Sequence, residues 1–350
     1  MKIVAFADLH VDKNRTGRVK GGIPIRVLDV LANLDYLIDF AIAKDVDYVL
    51  FAGDMYDIAN PSAKYRQMVY KRLARLAVHG IESVFIYGNH DTSKSEISSH
   101  ALVEIESLGI PHLHLIDCGY LDFPDVRIHG ISWQFREVDI DFPLATDRPN
   151  VCIAHCTVPN AAYSTGRYAD GELVLGRDFS IPLDYFTRYH FTCLGHIHKP
   201  QVLSENPFVG YPGSCDQFTW GEIYDPPQGF FFVDDDWSVA HIPFSFRERV
   251  YWEIEASDQA DVIDQLPPLD PETMYRVRVF MNKSFQLPQA PANTFSFTYE
   301  MVPRYTNARA RSDHIDPDAN HTQILKDYLG LKQYKEVEAE WEAIYYELNN

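Results

Sequence analysis

The chain has 350 residues, of which 46% are hydrophobic and 23% charged, so it can bury a large core and calls for more than one domain. Its formal net charge is −19 at pH 7, which argues against strong autonomous binding of nucleic acid, whose affinity comes from neutralised phosphates. Five cysteines (Cys118, Cys152, Cys156, Cys193 and Cys215) make an odd number in a long chain and argue for a reducing cytoplasm over a disulfide framework. The amino terminus runs straight into a strand pattern with no signal region, and no apolar stretch is long enough to span a membrane, so a cytoplasmic chain without a membrane partner is expected.

Residues 2–7 form a short apolar run, the pattern of a buried strand. Over 26–44, Val27, Val30, Leu31, Leu34, Leu37, Ile38 and Ala41 recur at helical spacing. A second apolar run, 48–52, ends in Gly53-Asp54. Residues 65–78 read as an amphipathic helix whose Lys64, Arg66, Lys71, Arg72 and Arg75 make a basic face, expected to be solvated unless it meets DNA or flanks a dimer. A third strand, 83–87, ends in Gly88-Asn89-His90-Asp91, and 97–108 returns to helical spacing. This alternation predicts a mainly parallel sheet with helices on its faces.

From about 110 to 246 strands and loops take over, with strands at 126–131, 150–154, 191–194 and 229–233. The expected fold class is therefore α/β, a two-sheet sandwich flanked by helices over 1–249. Residues 250–302 read as a small α+β module, with strands at 250–255, 275–281 and 294–300 and a short helix at 259–265. Residues 303–319 are a polar linker carrying Arg304, Arg309 and Arg311. Residues 320–350 read as a helical tail with Tyr334, Val337, Trp341, Ile344, Tyr345 and Leu348 on one face.

Five short motifs carry candidate chemistry: Asp8-Leu9-His10, Gly53-Asp54-Met55-Tyr56-Asp57, Gly88-Asn89-His90-Asp91, Ala154-His155 and Gly195-His196-Ile197-His198. The first three directly follow apolar strands, and the carboxyl ends of parallel strands are where sites assemble. Alternation along a strand lets Asp8 and His10 project to one side, and likewise His196 and His198. Carboxylate and amide oxygens with imidazole nitrogens suit Mn, Fe or Zn better than a thiolate site would. Two such metals about 3.5–4 Å apart clamp the attacking and leaving oxygens of an in-line phosphoryl displacement. Asp54 is the candidate bridge, and a hydroxide between the metals would attack, so no Ser or Cys nucleophile is needed.

Taken singly, Asp-x-His is a common polar strand end and Gly-Asp a common turn; the weight lies in the set. Cys152-x-x-His155-Cys156 has no second Cys/His pair at zinc-finger spacing, so these cysteines are expected in the core. Lys13, Arg15, Arg18 and Lys20 follow the first motif in a glycine-containing loop, where a phosphate could be met.

The set resembles the calcineurin-like metallophosphoesterases over residues 1–246. That resemblance implies that Asp8, His10, Asp54 and His198 hold one metal and Asp54, Asn89, His155 and His196 the other. It makes His90 the transition-state or leaving-group histidine. Asp57 falls where many of these phosphatases carry an acidic partner for that histidine, implying an Asp57–His90 dyad that keeps His90 protonated as general acid.

A finer resemblance is to the SbcD-type nucleases of double-strand-break repair. It rests on Arg26-Val27-Leu28-Asp29, on Gly195-His196-Ile197-His198-Lys199-Pro200-Gln201, on Tyr211-Pro212-Gly213-Ser214 and on Gly221-Glu222, with Cys215-Asp216-Gln217 a looser match. The acid at Asp57, where archaeal and eukaryotic members carry histidine, resembles the bacterial or phage branch.

This resemblance implies a manganese-dependent 3′→5′ exonuclease on duplex DNA and an endonuclease on single strands, with Mg²⁺, Fe²⁺ or Zn²⁺ as alternative metals. It implies a homodimer within a heterotetramer, partnered by an SbcC-type SMC-like ATPase. Residues 250–302 would position DNA, 320–350 would dock the ATPase, and the helices over 65–78 and 97–108 would form the dimer interface. The same residues also allow a phosphatase or cyclic-nucleotide phosphodiesterase acting on a small molecule or phosphoprotein.

Overall fold

In this computed structural model, which describes residues 1–13, 18–92, 102–107, 109–134, 139–163 and 179–303, the chain divides between Arg249 and Val250 into two compact units. The first unit opens with β1 (Ile3–Phe6), a short hairpin of β2 (Val19–Lys20) and β3 (Ile23–Pro24), and helix α1 (Ile25–Ala43). There follow β4 (Tyr48–Phe51), α2 (Ala63–Val78), β5 (Glu82–Phe85), α3 (Val103–Ser107) and β6 (Leu113–Leu115). Next come β7 (Cys118–Asp122), β8 (Arg127–Ile131), β9 (Asn150–His155), α4 (Leu183–Phe186), β10 (Phe191–Gly195), β11 (Gln201–Glu205) and β12 (Phe208–Tyr211). A 3₁₀ turn at Glu222–Tyr224 leads to β13 (Gly229–Val233) and β14 (Val239–Pro243).

These strands make two six-stranded sheets, ordered β14-β13-β1-β4-β5-β6 and β11-β12-β10-β9-β8-β7. Each has a parallel centre, β1-β4-β5-β6 in one and β12-β10-β9-β8 in the other. The expected parallel sheet is thus completed by antiparallel strands: β13 and β14 beside β1, and β11 and β7 at the edges of the second sheet.

Alternation along the strands decides the layers. Val4, Phe6, Val49, Phe51 and Phe85 pack with α1 and α2 in one core. Ile3, Ala5, Leu50 and Val84 face the other way and meet Ile128, Val151, Ile153, Phe191 and Cys193 of the second sheet. The opposite face of that sheet packs Cys152, Ala154 and Leu194 against Phe186 of α4. The result is helix, sheet, sheet, helix.

Ser62 caps α2, its side chain accepting from the Tyr65 main-chain N–H. The basic face of α2 is partly taken up within the protein: Arg72 reaches Asp35 at 2.9 Å, Arg75 pairs with Asp39, and Arg66 lies 3.2 Å from Glu104. All five cysteines are free, and Cys152, Cys156, Cys193 and Cys215 are buried. Among the described residues no helix is long and apolar enough to cross a membrane.

The second unit holds a three-stranded sheet of β15 (Arg249–Glu255), β16 (Met274–Met281) and β17 (Ser296–Pro303), with α5 (Gln259–Asp264) between the first two in sequence. Ile254, Val262, Val277, Val279 and Met281 form its core. Strand β16 alternates strictly, and its Arg278 pairs with Glu300 of β17 at 2.7 Å. The helical tail expected at 320–350, the linker beyond residue 303 and the first half of the helix expected at 97–108 lie outside the described residues.

Candidate metal centre

The motifs sit where strands end. Asp8 follows β1, Asp54 follows β4, Asn89 and His90 follow β5, His155 ends β9 and His196 follows β10. Main-chain bonds draw these ends together: Asp8 N–H to Gly53 O and His10 N–H to Asp54 O, each 3.0 Å. The His196 N–H donates to Asp8 Oδ1 at 3.0 Å and so ties the second sheet to the first.

The backbone bends sharply to achieve this. Asp8, His10, Asp54 and His196 all have positive φ, at 54°, 42°, 59° and 98°. Such conformations cost about 1–3 kcal/mol each in a non-glycine residue and cluster at functional sites. Neighbouring glycines are steric requirements: a Cβ on Gly88 would overlap the Asp54 carboxylate, and one on Gly195 would overlap the carbonyl of Ala52.

The side chains then converge. Asp54 Oδ2 lies 3.5 Å from His10 Nε2 and 3.4 Å from His155 Nε2. Asn89 Oδ1 lies 3.0 Å from His155 Nε2 and 3.1 Å from His196 Nδ1. His10 Nε2 and His198 Nε2 face each other at 3.2 Å. Asp8, His10 and His198 bring ligand atoms within 4.8 Å of one another, and so do Asp8, Asp54 and His155. Two rings are oriented from behind. His155 Nδ1 donates to the Ala52 carbonyl at 2.8 Å, and His198 Nδ1 to Glu222 Oε1 at 3.1 Å. Each leaves Nε2 aimed inward, the nitrogen a metal-binding histidine offers once a cation displaces its proton.

The electrostatics ask for positive charge. Asp8 and Asp54 are 0% and 2% exposed. Burial pushes the Asp8 carboxyl up to about 6 even though His155 and His198 oppose it. Asp91, which accepts main-chain bonds from Met55, Tyr56 and Gly88, is raised to about 7 by burial and by the charge of Asp54. Burial resists ionisation of Asp54 too, but His155 and His10 hold it well below the usual carboxylate range. Burial would lower the His155 ring; Asp54 and Asp8 outweigh it and raise it to about 9. A buried group of hard oxygen and imidazole donors that favours added positive charge fits divalent cations.

Asp8, His10, Asp54, Asn89, His155, His196 and His198 are thus brought into one cluster. His90 is beside it, with its main-chain N–H on Asp54 Oδ1 at 2.9 Å. Its Nδ1 bonds the main-chain carbonyl of Asp57 at 3.0 Å, while the Asp57 carboxylate stands 3.6 Å away. That carboxylate also reaches Lys13 Nζ at 3.1 Å and His10 Nδ1 at 3.4 Å. Burial opposes its ionisation, but these two partners bring it down to about 2.

Sequence reasoning assigned no role to Glu222, Asp91, Trp133 or Phe218. Glu222 is 2% exposed and also accepts from the Phe218 N–H at 2.6 Å; only the Gly221-Glu222 pattern hinted at it. The Trp133 ring lies 4.7 Å from His196, and the Phe218 ring meets His10 edge-on at 5.3 Å and His198 at a tilt at 5.7 Å, with no local sequence signal for either. Arg26 pairs with Asp29 at 3.0 Å and with Asp216, so that motif ties α1 to the loop behind the site.

Residues 1–200 match the family described as calcineurin-like phosphoesterase. The chain is 30% identical over 271 residues to YhaO, an uncharacterized metallophosphoesterase of Bacillus subtilis, covering 74% of this chain and 63% of that protein. It is 24% identical over 253 residues to an SbcCD nuclease subunit of Staphylococcus saprophyticus, covering 65% and 64% respectively. It is 22% identical over 244 residues to the DNA double-strand break repair protein Mre11 of Archaeoglobus fulgidus, covering 62% and 51%. The matched region thus spans between 51% and 64% of these relatives' own length. With its strand-end motifs gathered into one buried site, the chain belongs to the calcineurin-like phosphoesterase family.

Proposed function

We propose that this chain is a metal-dependent phosphoester hydrolase and, more narrowly, a two-metal DNA nuclease, the cleaving subunit of an SbcCD-like complex that processes DNA ends in the cytoplasm. Its partners would be a second copy of itself and an SMC-like ATPase. The observation that carries the hydrolytic reading is the convergence of Asp8, His10, Asp54, Asn89, His155, His196 and His198 on one buried cluster. The DNA reading is supported by alignment over 62–65% of the chain with proteins named as a nuclease subunit and a double-strand-break repair protein.

Asp8, His10, Asp54 and His198 would hold one cation and Asp54, Asn89, His155 and His196 the other. Asp54 is suited to bridge, because its Oδ2 stands between His10 and His155 at 3.5 and 3.4 Å. Two divalent cations, Mn²⁺ foremost, would supply Lewis acidity to the phosphate and lower the pKa of water. The protein's own part is to orient and to move a proton. With Nδ1 of His90 donating to the Asp57 carbonyl, a second proton on Nε2 is the one available to the departing oxygen. Asp57 serves through that carbonyl and, through its carboxylate, steadies His10 and Lys13.

The test is cleavage of linear and circular DNA, duplex and single-stranded, in Mn²⁺, Mg²⁺ or chelator, with His90→Asn alongside. The expected outcome is Mn²⁺-dependent cleavage that falls by about 10²–10⁴ in the variant, the usual size of a general-acid contribution. DNA left intact while bis-p-nitrophenyl phosphate is hydrolysed would replace the nuclease reading with a small-molecule phosphodiesterase.

A further inference from the structure

The floor of the site is closed, with Asp8 and His155 at 0% exposure and His10 at 1%, so a substrate must come in over side chains that stay accessible. His90, Asp57, Lys13 and His198 are such side chains, at 23%, 20%, 27% and 18%. Lys13 brings the cation to this rim. Its main-chain N–H closes a turn onto the carbonyl of His10 at 3.0 Å, which holds the residue beside the site. Its Nζ stands 3.1 Å from Asp57 Oδ1 and 5.6 Å from the centre of the Phe218 ring, which in turn contacts the rings of His10 and His198. Lys199, the other lysine next to a candidate ligand, turns instead to the buried Asp225, 3.4 Å away.

We propose that Lys13 is the substrate-phosphate-binding residue of this site, its ammonium contacting a non-bridging oxygen of the incoming phosphoester. This rests on the hydrolase reading and not on DNA being the substrate. A lysine ammonium carries three donors, and Asp57 uses one. A partly exposed ion pair of this kind is weak, so Lys13 can share its charge with a phosphate at little cost. A chain with formal charge −19 repels anionic substrates at long range, and a lysine on the rim offers them a positive group at the site itself. Phosphate bound here would lie beside His90, whose Nδ1 is anchored to the residue that also holds Lys13, namely Asp57.

The experiment is isothermal titration of the Mn²⁺-loaded full chain with inorganic phosphate, for the wild type, Lys13→Gln and Lys13→Arg, after the Mn²⁺ affinity of each has been measured without phosphate. Loss of one charge-assisted contact predicts phosphate binding about tenfold weaker in Lys13→Gln. Lys13→Arg keeps the charge and is expected within about threefold of the wild type. Mn²⁺ affinity should be alike in all three. Equal phosphate affinity in the wild type and Lys13→Gln overturns the proposal. So does a loss of Mn²⁺ affinity that accounts for the loss of phosphate, since Lys13 would then act only by holding Asp57 and His10 in place. If the phosphate series holds while the wild type leaves every DNA form intact, the nuclease reading fails and Lys13 keeps its role.

Discussion

A histidine presents one ring nitrogen reliably only when the other is tied down, and at His198 the tie is Glu222. Both carboxylate oxygens are engaged, one on His198 Nδ1 at 3.1 Å and one on the Phe218 N–H at 2.6 Å. Glu222→Ala frees the ring to rotate and leaves a buried N–H unpaired. Mn²⁺ affinity, read by calorimetry, should fall about tenfold to a hundredfold, with Glu222→Gln losing less, because its one amide oxygen can still accept from Nδ1 while its NH2 is left facing the Phe218 N–H. Affinity unchanged in Glu222→Ala would mean that packing against Phe218 alone orients His198. The contrast between His198 and Glu222 explains what could be read from sequence. Gly195-His196-Ile197-His198 is visible because a tight turn and an alternating strand end are local demands. Glu222 lies 24 residues away and Trp133 on a different loop; each contact exists only after the sheets have closed. The positive φ angles at Asp8, His10, Asp54 and His196 are nearly as silent: Asp and His enter that region more readily than most residues, but still so seldom that the residue type alone does not place it. The same limit applies to Asp57, whose proximity to His90 was readable while the bond from the ring to its main-chain carbonyl was not.

At the scale of elements, burial on both faces made a strand legible. β1, β4 and β9 are buried throughout and show up as continuous apolar runs. β7, β11 and β14 are half-exposed edge or near-edge strands whose mixed residues leave no run to find. The junction of β5 and β6 shows how a polar residue can bind such elements together. Glu82 of β5 takes His112 Nδ1 on one oxygen at 2.8 Å and His114 Nε2 on the other at 2.7 Å. Burial opposes ionisation of Glu82, but the two imidazole hydrogen bonds prevail and its pKa falls below the ordinary 4.5. A carboxyl whose folded pKa lies below its unfolded one stabilises the fold fully above 4.5, and the contribution is lost as pH falls from there through the folded value. Glu82→Gln should therefore cost about 1 kcal/mol at pH 7. Thermal melts should show the gap between variant and wild type closing as pH is lowered below 4.5. A gap independent of pH would show that the carboxylate charge contributes nothing to the β5–β6 join.

For the whole molecule, stability and function pull against each other at the metal centre. The chain carries a formal charge of −19, and Asp8, Asp12, Asp54, Asp91, Asp216 and Glu222 are buried in its first unit. Asp8, raised to about 6, favours the fold less when ionised than when protonated: its folded pKa exceeds the ordinary 3.8, so any stability it lends is complete below 3.8 and lost as pH rises through about 6. At pH 7 without metal it is a liability retained for binding, the trade expected of a functional site. Divalent cations turn that liability into a gain, because whatever binds only the folded state stabilises it, by about 2.7 kcal/mol per site at a hundred times Kd. Wild-type protein should thus melt several degrees higher in saturating Mn²⁺ than in chelator. Asp8→Asn keeps an oxygen for the His196 N–H but removes the buried charge. In chelator it should melt at or above the wild-type temperature, and in Mn²⁺ it should gain much less. A variant that melts below the wild type in chelator would show that the Asp8 carboxylate supports the two-sheet junction by itself, and the conflict between charge and fold at this site would not exist.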